Sequence, residues 1–354
     1  MFFPAAYKTL SQDQVAARIR AIKEQLGKEL IILGHHYMSD AVIQFADYRG
    51  DSLELSRKAA QAGDARYIVF CGVHFMAETA AILSRPGQIV TIPDRRAGCL
   101  LADMAEIEEV RRAWEDLYAL WGDDLTPITY VNSAAELKAF CGEHGGIICT
   151  SSNAPKICRW ALRRGNHVLF FPDANLGTNT ALSMGIPREQ IKTWNPSRPL
   201  GGNPDIAAAR FVVWRGFCNV HVHFTVEHIA AVRARYEGIK VVVHPECSPE
   251  VVAQSDANGS TSFIVQYARQ APAGARIAIG TESNLVYRLA QENPDKLIVP
   301  LVESYCISME RINPYNLLRT LDSLVEGHPV ELITVSPETA QWARIALERM
   351  LQES

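Results

Sequence analysis

Several patterns that would narrow the class of this protein are missing. No apolar run approaches the length of a membrane span, so no membrane partner is expected. The opening residues, MFFPAAYKTLSQDQ, have no basic stretch ahead of an apolar core and do not read as a secretory signal. CxxC is absent, which removes zinc-ribbon and thioredoxin-type readings, and so is the CxxxCxxC of radical enzymes. HExxH is also absent. Charge of one sign is scarce: Lys+Arg is 35 and Asp+Glu is 39, a net charge of −4. With no basic stripe and no helix-turn-helix pattern, no nucleic-acid partner is expected. No low-complexity tract suggests disorder. These absences point to a cytoplasmic protein whose eight cysteines serve as thiols, metal ligands or redox groups.

What is present is enough apolar material for substantial cores, 48% of 354 residues, and a length that suits two or three domains. Short apolar runs alternate with helical patterns, the mark of parallel sheets covered by helices. Three segments share one layout. Each opens on a buried-type strand: LIILGHH at 30–36, PITYVNS at 127–133 and KVVVHPE at 240–246. A helix, a short connection and a second helix are expected next. A second strong strand follows: YIVFCG at 67–72, HVLFFP at 167–172 and ARIAIG at 275–280. After another helix comes a third strand: IVTIPD at 89–94, QIKTWNP at 190–196 and LIVPLVE at 297–303.

The expected fold is therefore α/β, built from three related units, each with a short, mainly parallel sheet covered by helices. The boundaries read as an N-terminal helix at 1–28, α/β units at 29–122, 123–225 and 226–320, and a C-terminal helical segment at 321–354. The second unit carries an extra stretch at 200–215. Residues 10–28 read as an amphipathic helix capped by Ser11, and PETAQWARIALERMLQ as another; the two are expected to cover one unit together.

In every unit the third strand is followed by a cysteine, giving Cys99, Cys218 and Cys306. Open α/β sheets put ligand sites beyond the carboxyl ends of their strands. Three such loops around one axis would bring three thiolates to a centre. The other five cysteines lack this register, and four of them, Cys71, Cys141, Cys149 and Cys158, read as small buried residues. Three thiolates suit a [4Fe–4S] cluster with one iron left open, or zinc with an open position; soft sulfur ligands do not separate the two.

Hydroxyls recur at helix starts after the first strand, at Ser52, Ser151 and Thr261. Free N–H groups and the helix dipole favour an anion there, although simple capping, by Asp51 with Glu54 for example, explains a single case better. The first strands end in polar residues: His35, His36 and Tyr37; Tyr130 and Asn132; His244 and Glu246. His244 and Glu246 share a face of an extended segment and suit acid–base work. His221 and His223, in VHVH at 220–223, read as one face of a strand, with a polar-edge or supporting role favoured over metal binding. His74 and Glu78 read as helix surface or a packing cap.

The chain closely resembles the quinolinate synthase family over nearly its whole length. The resemblance is carried by GHHY at 34–37, GDSLELSRKA at 50–59, FMAETA at 75–80, YVNS at 130–133, TSSNA at 150–154, CNVHVHFT at 218–225, HPEC at 244–247 and GTESNLVYRL at 280–289. It implies three pseudo-threefold-related α/β/α sandwich domains with the active site at their central junction, and condensation of iminosuccinate (iminoaspartate) with dihydroxyacetone phosphate to quinolinate, with loss of phosphate and water. It implies a [4Fe–4S] cluster on Cys99, Cys218 and Cys306, and an aspartate-oxidising enzyme as supplier of the imine. Substrate contacts implied are His35, Ser52, Tyr130, Asn132, Ser151, His244, Glu246 and Thr261. Tyr37 matches the family's mobile tyrosine. The stretch 200–215 is an insertion that shorter members lack. In the expected mechanism Glu246, oriented by His244, moves protons, Tyr37 and Tyr130 shield the site, and the open iron acts as a Lewis acid. A zinc-dependent hydrolase and an iron–sulfur sensor are the rival expectations.

Overall fold

The computed structural model describes Tyr7 and residues 9–354. It contains three sheets in which every named strand pair is parallel. The first holds β1 (Leu30–His35), β2 (Tyr48–Gly50), β3 (Tyr67–Cys71) and β4 (Ile89–Thr91) in the order β2-β1-β3-β4. The second holds β5 (Leu125–Tyr130), β6 (Ile147–Cys149), β7 (His167–Phe171), β8 (Ile191–Trp194) and β9 (Phe211–Trp214) in the order β6-β5-β7-β9-β8. The third holds β10 (Lys240–Val243), β11 (Ala257–Asn258), β12 (Arg276–Gly280) and β13 (Leu297–Pro300) in the order β11-β10-β12-β13. The α/β class, the three sheets and the strong strands are those the sequence predicts. The short connection between the two helices of each repeat contains an edge strand, β2, β6 or β11, too brief to show a period.

The described chain forms two compact units. One comprises residues up to Cys99 with Tyr305–Ser336, and the other Leu100–Ser304 with Pro337–Ser354. The second unit thus holds both the second and the third sheet.

The predicted third strand of the middle repeat needs correction. The strand beside β7, in the place of β4 and β13, is β9, which falls inside the stretch read as an insertion. QIKTWNP supplies only the added edge strand β8. The burial explains the difference. FVVW of β9 lies between two strands and is wholly buried, whereas Lys192 and Thr193 of β8 reach solvent, as an edge allows.

One device fixes the edge strands. Opposite the third residue of β1, Asp47 accepts from Ile32 N (2.8 Å) and returns its own N–H to Ile32 O (2.8 Å). In the third sheet Asp256 does the same with Val241, at 2.9 and 2.8 Å. The corresponding pair in the second sheet is Pro127 and Gly146, inferred from the register Ile128↔Ile147. Proline has no N–H to satisfy, so no aspartate is needed. A Cβ at Gly146 would stand 2.2 Å from Pro127 O, so only glycine lets the two chains approach.

The N-terminal helix forms as predicted, over Gln12–Leu26, with a reciprocal capping box between Ser11 and Gln14. Its buried stripe is Val15, Ile19 and Ile22, and it packs on the helix Pro314–Val325 of the first unit. The expectation that it joins the C-terminal helix is wrong. Pro337–Gln352 belongs to the second unit, where it packs on Ala135–Glu143 and β6. Its apolar stripe, Ala343, Ala346, Leu347 and Met350, is buried, and Arg349 donates to the Gly146 carbonyl. Both helices are amphipathic, and amphipathicity alone does not name the partner face.

Candidate active site

The second unit gathers polar groups at the carboxyl ends of β5, β7, β9, β10 and β12. Beyond β10, His244 and Glu246 are each 2% exposed, and His244 N donates to Gly280 O (3.1 Å). Asn175 Nδ2 donates to Glu246 O (3.2 Å), and Asn179 Nδ2 to both Pro245 O and Cys247 O (2.8 Å each). These amides, from the helix Ala174–Ser183, hold the His244–Cys247 turn of the third sheet against the second.

The VHVH stretch after β9 is not a strand but a turn. It buries His221 and leaves His223 exposed. His221 Nδ1 lies 2.7 Å from Glu246 Oε2, and His244 Nδ1 lies 3.2 Å from the same oxygen. The two imidazoles stack with centroids 4.3 Å apart. His221 Nε2 is 3.2 Å from Thr281 Oγ1. His221 thus faces the Glu246 carboxylate with Nδ1 and lies within hydrogen-bonding distance of the threonine hydroxyl at Nε2. Burial, followed by the His244 charge, pushes the His221 imidazole down to about 4. Burial alone would push the Glu246 carboxyl up, but His221 and His244 outweigh it and hold the group ionised below the usual range.

Cys218 completes this group. Its Sγ, a ring nitrogen of His221 and a carboxylate oxygen of Glu246 lie within 4.8 Å of one another. Asp173, the N-cap of the helix Ala174–Ser183, is fully buried. Burial and then the Glu246 charge push its carboxyl well up, against the backbone N–H groups of Leu176, Asn175 and Cys218. Asn132 Oδ1, Asp173 Oδ2 and Glu246 Oε1 are buried atoms with no hydrogen-bond partner among the described residues.

Tyr130 ends β5 and is 4% exposed. Its carbonyl accepts from Ser133 Oγ (2.8 Å), and the buried Lys138 ammonium donates to Ser133 O, fixing the turn that carries Asn132. Thr261 opens the helix Thr261–Gln270, capped by Ser260. Ser151 lies in the turn ahead of the helix Ala154–Leu162, not at its first residue as predicted, because Asn153 takes the cap position. Ser151 and Ser260 line one cavity of about 210 Å³ with Asn179 and Pro245.

The remaining predicted site residues belong to the first unit. Tyr37 N donates to His35 Nδ1 (3.1 Å) and the rings meet edge to face at 4.6 Å. Glu246 N makes the same i+2 contact with His244 Nδ1 (3.3 Å), so both first strands end on a histidine oriented by its own turn. Ser52 opens the helix Ser52–Ala60, whose cap is the Asp51–Glu54 box. His74 Nε2 and Glu78 Oε1 are 3.5 Å apart and partly exposed, the surface pair expected of them.

The cysteines divide by accessibility. Cys99, Cys218 and Cys306, the three in register, are partly exposed, while Cys71, Cys141, Cys149, Cys158 and Cys247 are buried. Burial pushes the Cys71 thiol up to about 12 and the other four further still. Buried, protonated thiols are poor metal ligands, and accessible ones are good candidates. Among the described residues, Cys218 with His221 and Glu246 could hold a metal ion, and Cys99 and Cys306 are accessible thiols of the first unit.

A profile of the quinolinate synthetase A protein family matches residues 17–352. A protein of Anoxybacillus flavithermus named quinolinate synthase is 51% identical over 98% of this chain and 96% of its own length. One of Corynebacterium glutamicum with the same name is 51% identical, over 98% of this chain and 90% of its own length. A Bacillus cereus quinolinate synthase is 47% identical over 99% of the chain and 96% of its own length. The chain belongs to this family. As a member of the quinolinate synthetase A family it is an enzyme, and the Cys218–His221–Glu246 group is its candidate active site. Sequence reasoning undervalued His221 and missed Asp173, Asn179, Thr281 and Lys138. The only cue was polarity in apolar surroundings just after strand ends.

Proposed function

We propose that this chain is a quinolinate synthase of NAD biosynthesis, condensing iminosuccinate with dihydroxyacetone phosphate and releasing phosphate and water. One observation carries the reading: a buried, ionised Glu246 braced by two histidines stands beside an accessible cysteine, in a chain that matches this family over residues 17–352. The proposed cofactor is a [4Fe–4S] cluster on Cys99, Cys218 and Cys306. When bound, it supplies an open iron able to polarise a substrate oxygen. Glu246 Oε1, without a protein donor among the described residues, is the atom that takes a proton from substrate. His221 and His244 hold that carboxylate charged and aimed. Asn132 Oδ1 accepts from a substrate N–H or O–H. Ser151, Thr261, Ser52 and His35 bind carboxylate and phosphate oxygens, and Tyr37 and Tyr130 exclude water.

The imine reacts with water, so an aspartate-oxidising enzyme is proposed as its supplier. A cytoplasmic location belongs to the same proposal, supported by eight free thiols. No helix among the described residues is long and apolar enough to cross a membrane.

A zinc hydrolase is the second reading, favoured by the sulfur, nitrogen and oxygen donors of Cys218, His221 and Glu246. Anaerobic purification with iron, sulfide and zinc assays separates the two. About four irons and four sulfides per chain, together with quinolinate formation from the two substrates, are expected for the cluster enzyme. Stoichiometric zinc without iron, and no quinolinate, would overturn the first reading.

A further inference from the structure

In all three repeats one backbone hydrogen bond recurs two residues ahead of the register cysteine. His74 N donates to Ala97 O (2.8 Å), Ala174 N to Gly216 O (2.8 Å) and Ser283 N to Ser304 O (2.9 Å). The donors are the first residues of the helices His74–Leu83, Ala174–Ser183 and Ser283–Glu292, which follow β3, β7 and β12. The acceptors precede Cys99, Cys218 and Cys306 by two residues each. A first-turn amide has no partner inside its helix, so it is free to hold a neighbouring loop.

The middle tether is the most elaborate. Asp173 and Gly216 form a parallel bridge that prolongs the neighbouring strands β7 and β9. A Cβ on Gly216 would stand 2.3 Å from Pro172 O, so the glycine permits the approach. Asp173 Oδ1 accepts from Leu176 N (2.6 Å), fixing the helix start that makes the tether. Trp214 Nε1 donates to Met104 O (2.7 Å), anchoring the end of β9 from which the cysteine loop departs.

We propose that these three tethers are a repeated positioning device, setting each cysteine loop before iron arrives. The residues concerned are His74, Ala174 and Ser283 as donors, with Gly216 admitting the middle contact. The inference deepens the proposed function and rests on the role assigned there to the three cysteines. It also says why cysteines at different distances from their strands are equivalent: they share a place counted from the tether.

Ala174→Pro tests it. Proline removes the donating N–H yet suits the first position of a helix, and Asp173 already has the extended backbone (φ −93°, ψ 112°) that a following proline requires. Ile107→Pro, at the start of the helix Ile107–Trp121, is the control for proline at a helix start. Gly216→Ala attacks the same tether from the other side. Two quantities are read: amide hydrogen exchange of the segment 215–219 in iron-free protein, and iron and sulfide per chain after anaerobic reconstitution with ferrous iron and sulfide. For Ala174→Pro and Gly216→Ala, exchange should rise roughly fivefold to tenfold. Their iron content should fall below half that of the parent, while Ile107→Pro matches the parent in both. Parent-like exchange, or parent-like iron with an unchanged electron paramagnetic resonance spectrum, in both tether variants overturns the inference alone. A parent that takes up no iron overturns the cluster reading and this inference with it, so the two failures are distinct.

Discussion

His221 Nδ1 stands 2.7 Å from Glu246 Oε2, and neither side chain is more than 3% exposed. A carboxylate so deeply buried needs polar neighbours, and the pair joins the turn beyond β9 to the turn beyond β10. Glu246→Gln keeps the shape and removes the proton acceptor. Turnover should fall by roughly 10²–10⁴-fold with iron content unchanged. Quinolinate assays on cluster-quantified protein check this, and near-parent turnover would remove Glu246 from proton transfer.

Cysteine replacement should divide the eight residues as accessibility does. Serine at Cys99, Cys218 or Cys306 should abolish or strongly reduce bound iron. Alanine at Cys71, Cys141 or Cys158 should leave iron intact and lower stability by about 1–2 kcal/mol through lost packing. Iron and sulfide analysis beside chemical unfolding reads both. A buried cysteine whose loss alone empties the centre would contradict the assignment.

Asn179→Ala should act at a distance on the same site. Its amide, 8% exposed, satisfies the carbonyls of Pro245 and Cys247. Losing it leaves two buried acceptors unpaired and should cost about 2 kcal/mol. The His244–Glu246 turn should loosen, lowering kcat more than it raises KM. A KM effect alone would place Asn179 outside the active geometry.

Asp256 predicts an acid limb in stability. Burial would raise its carboxyl, but the Val241 N–H, Lys240 and Arg233 outweigh it and bring it down to about 2. A lowered carboxyl binds its proton less readily when folded. Its contribution is therefore complete above the ordinary value near 4 and is lost as pH falls toward 2. Asp256→Asn should flatten that part of the stability curve and weaken the attachment of β11. Identical acid unfolding of parent and variant would show that Asp256 does not drive it.

The strong strands, the N-terminal helix with its Ser11 cap, the threefold pattern and the three distinguished cysteines were all legible in the chain. Each is a local signal: an apolar run, a helical period, or a residue type at a fixed place in a repeat. The edge strands β2, β6 and β11 were not legible, being two or three residues long. Their positions depend on pairing with β1, β5 and β10. Nor was the choice between QIKTW and FVVW as third strand, since only the neighbours of a strand decide whether one face or both are buried.

By itself the sequence determined the kind of protein, because composition and periodicity select parallel sheets, and the motifs select the family. Tertiary structure decided that His221 joins His244 beside Glu246, which thiols stay accessible and where the terminal helices pack. Those outcomes depend on side chains far apart in the chain coming within a few ångströms. Burial and electrostatics then act on the assembled neighbours, and no local pattern encodes them.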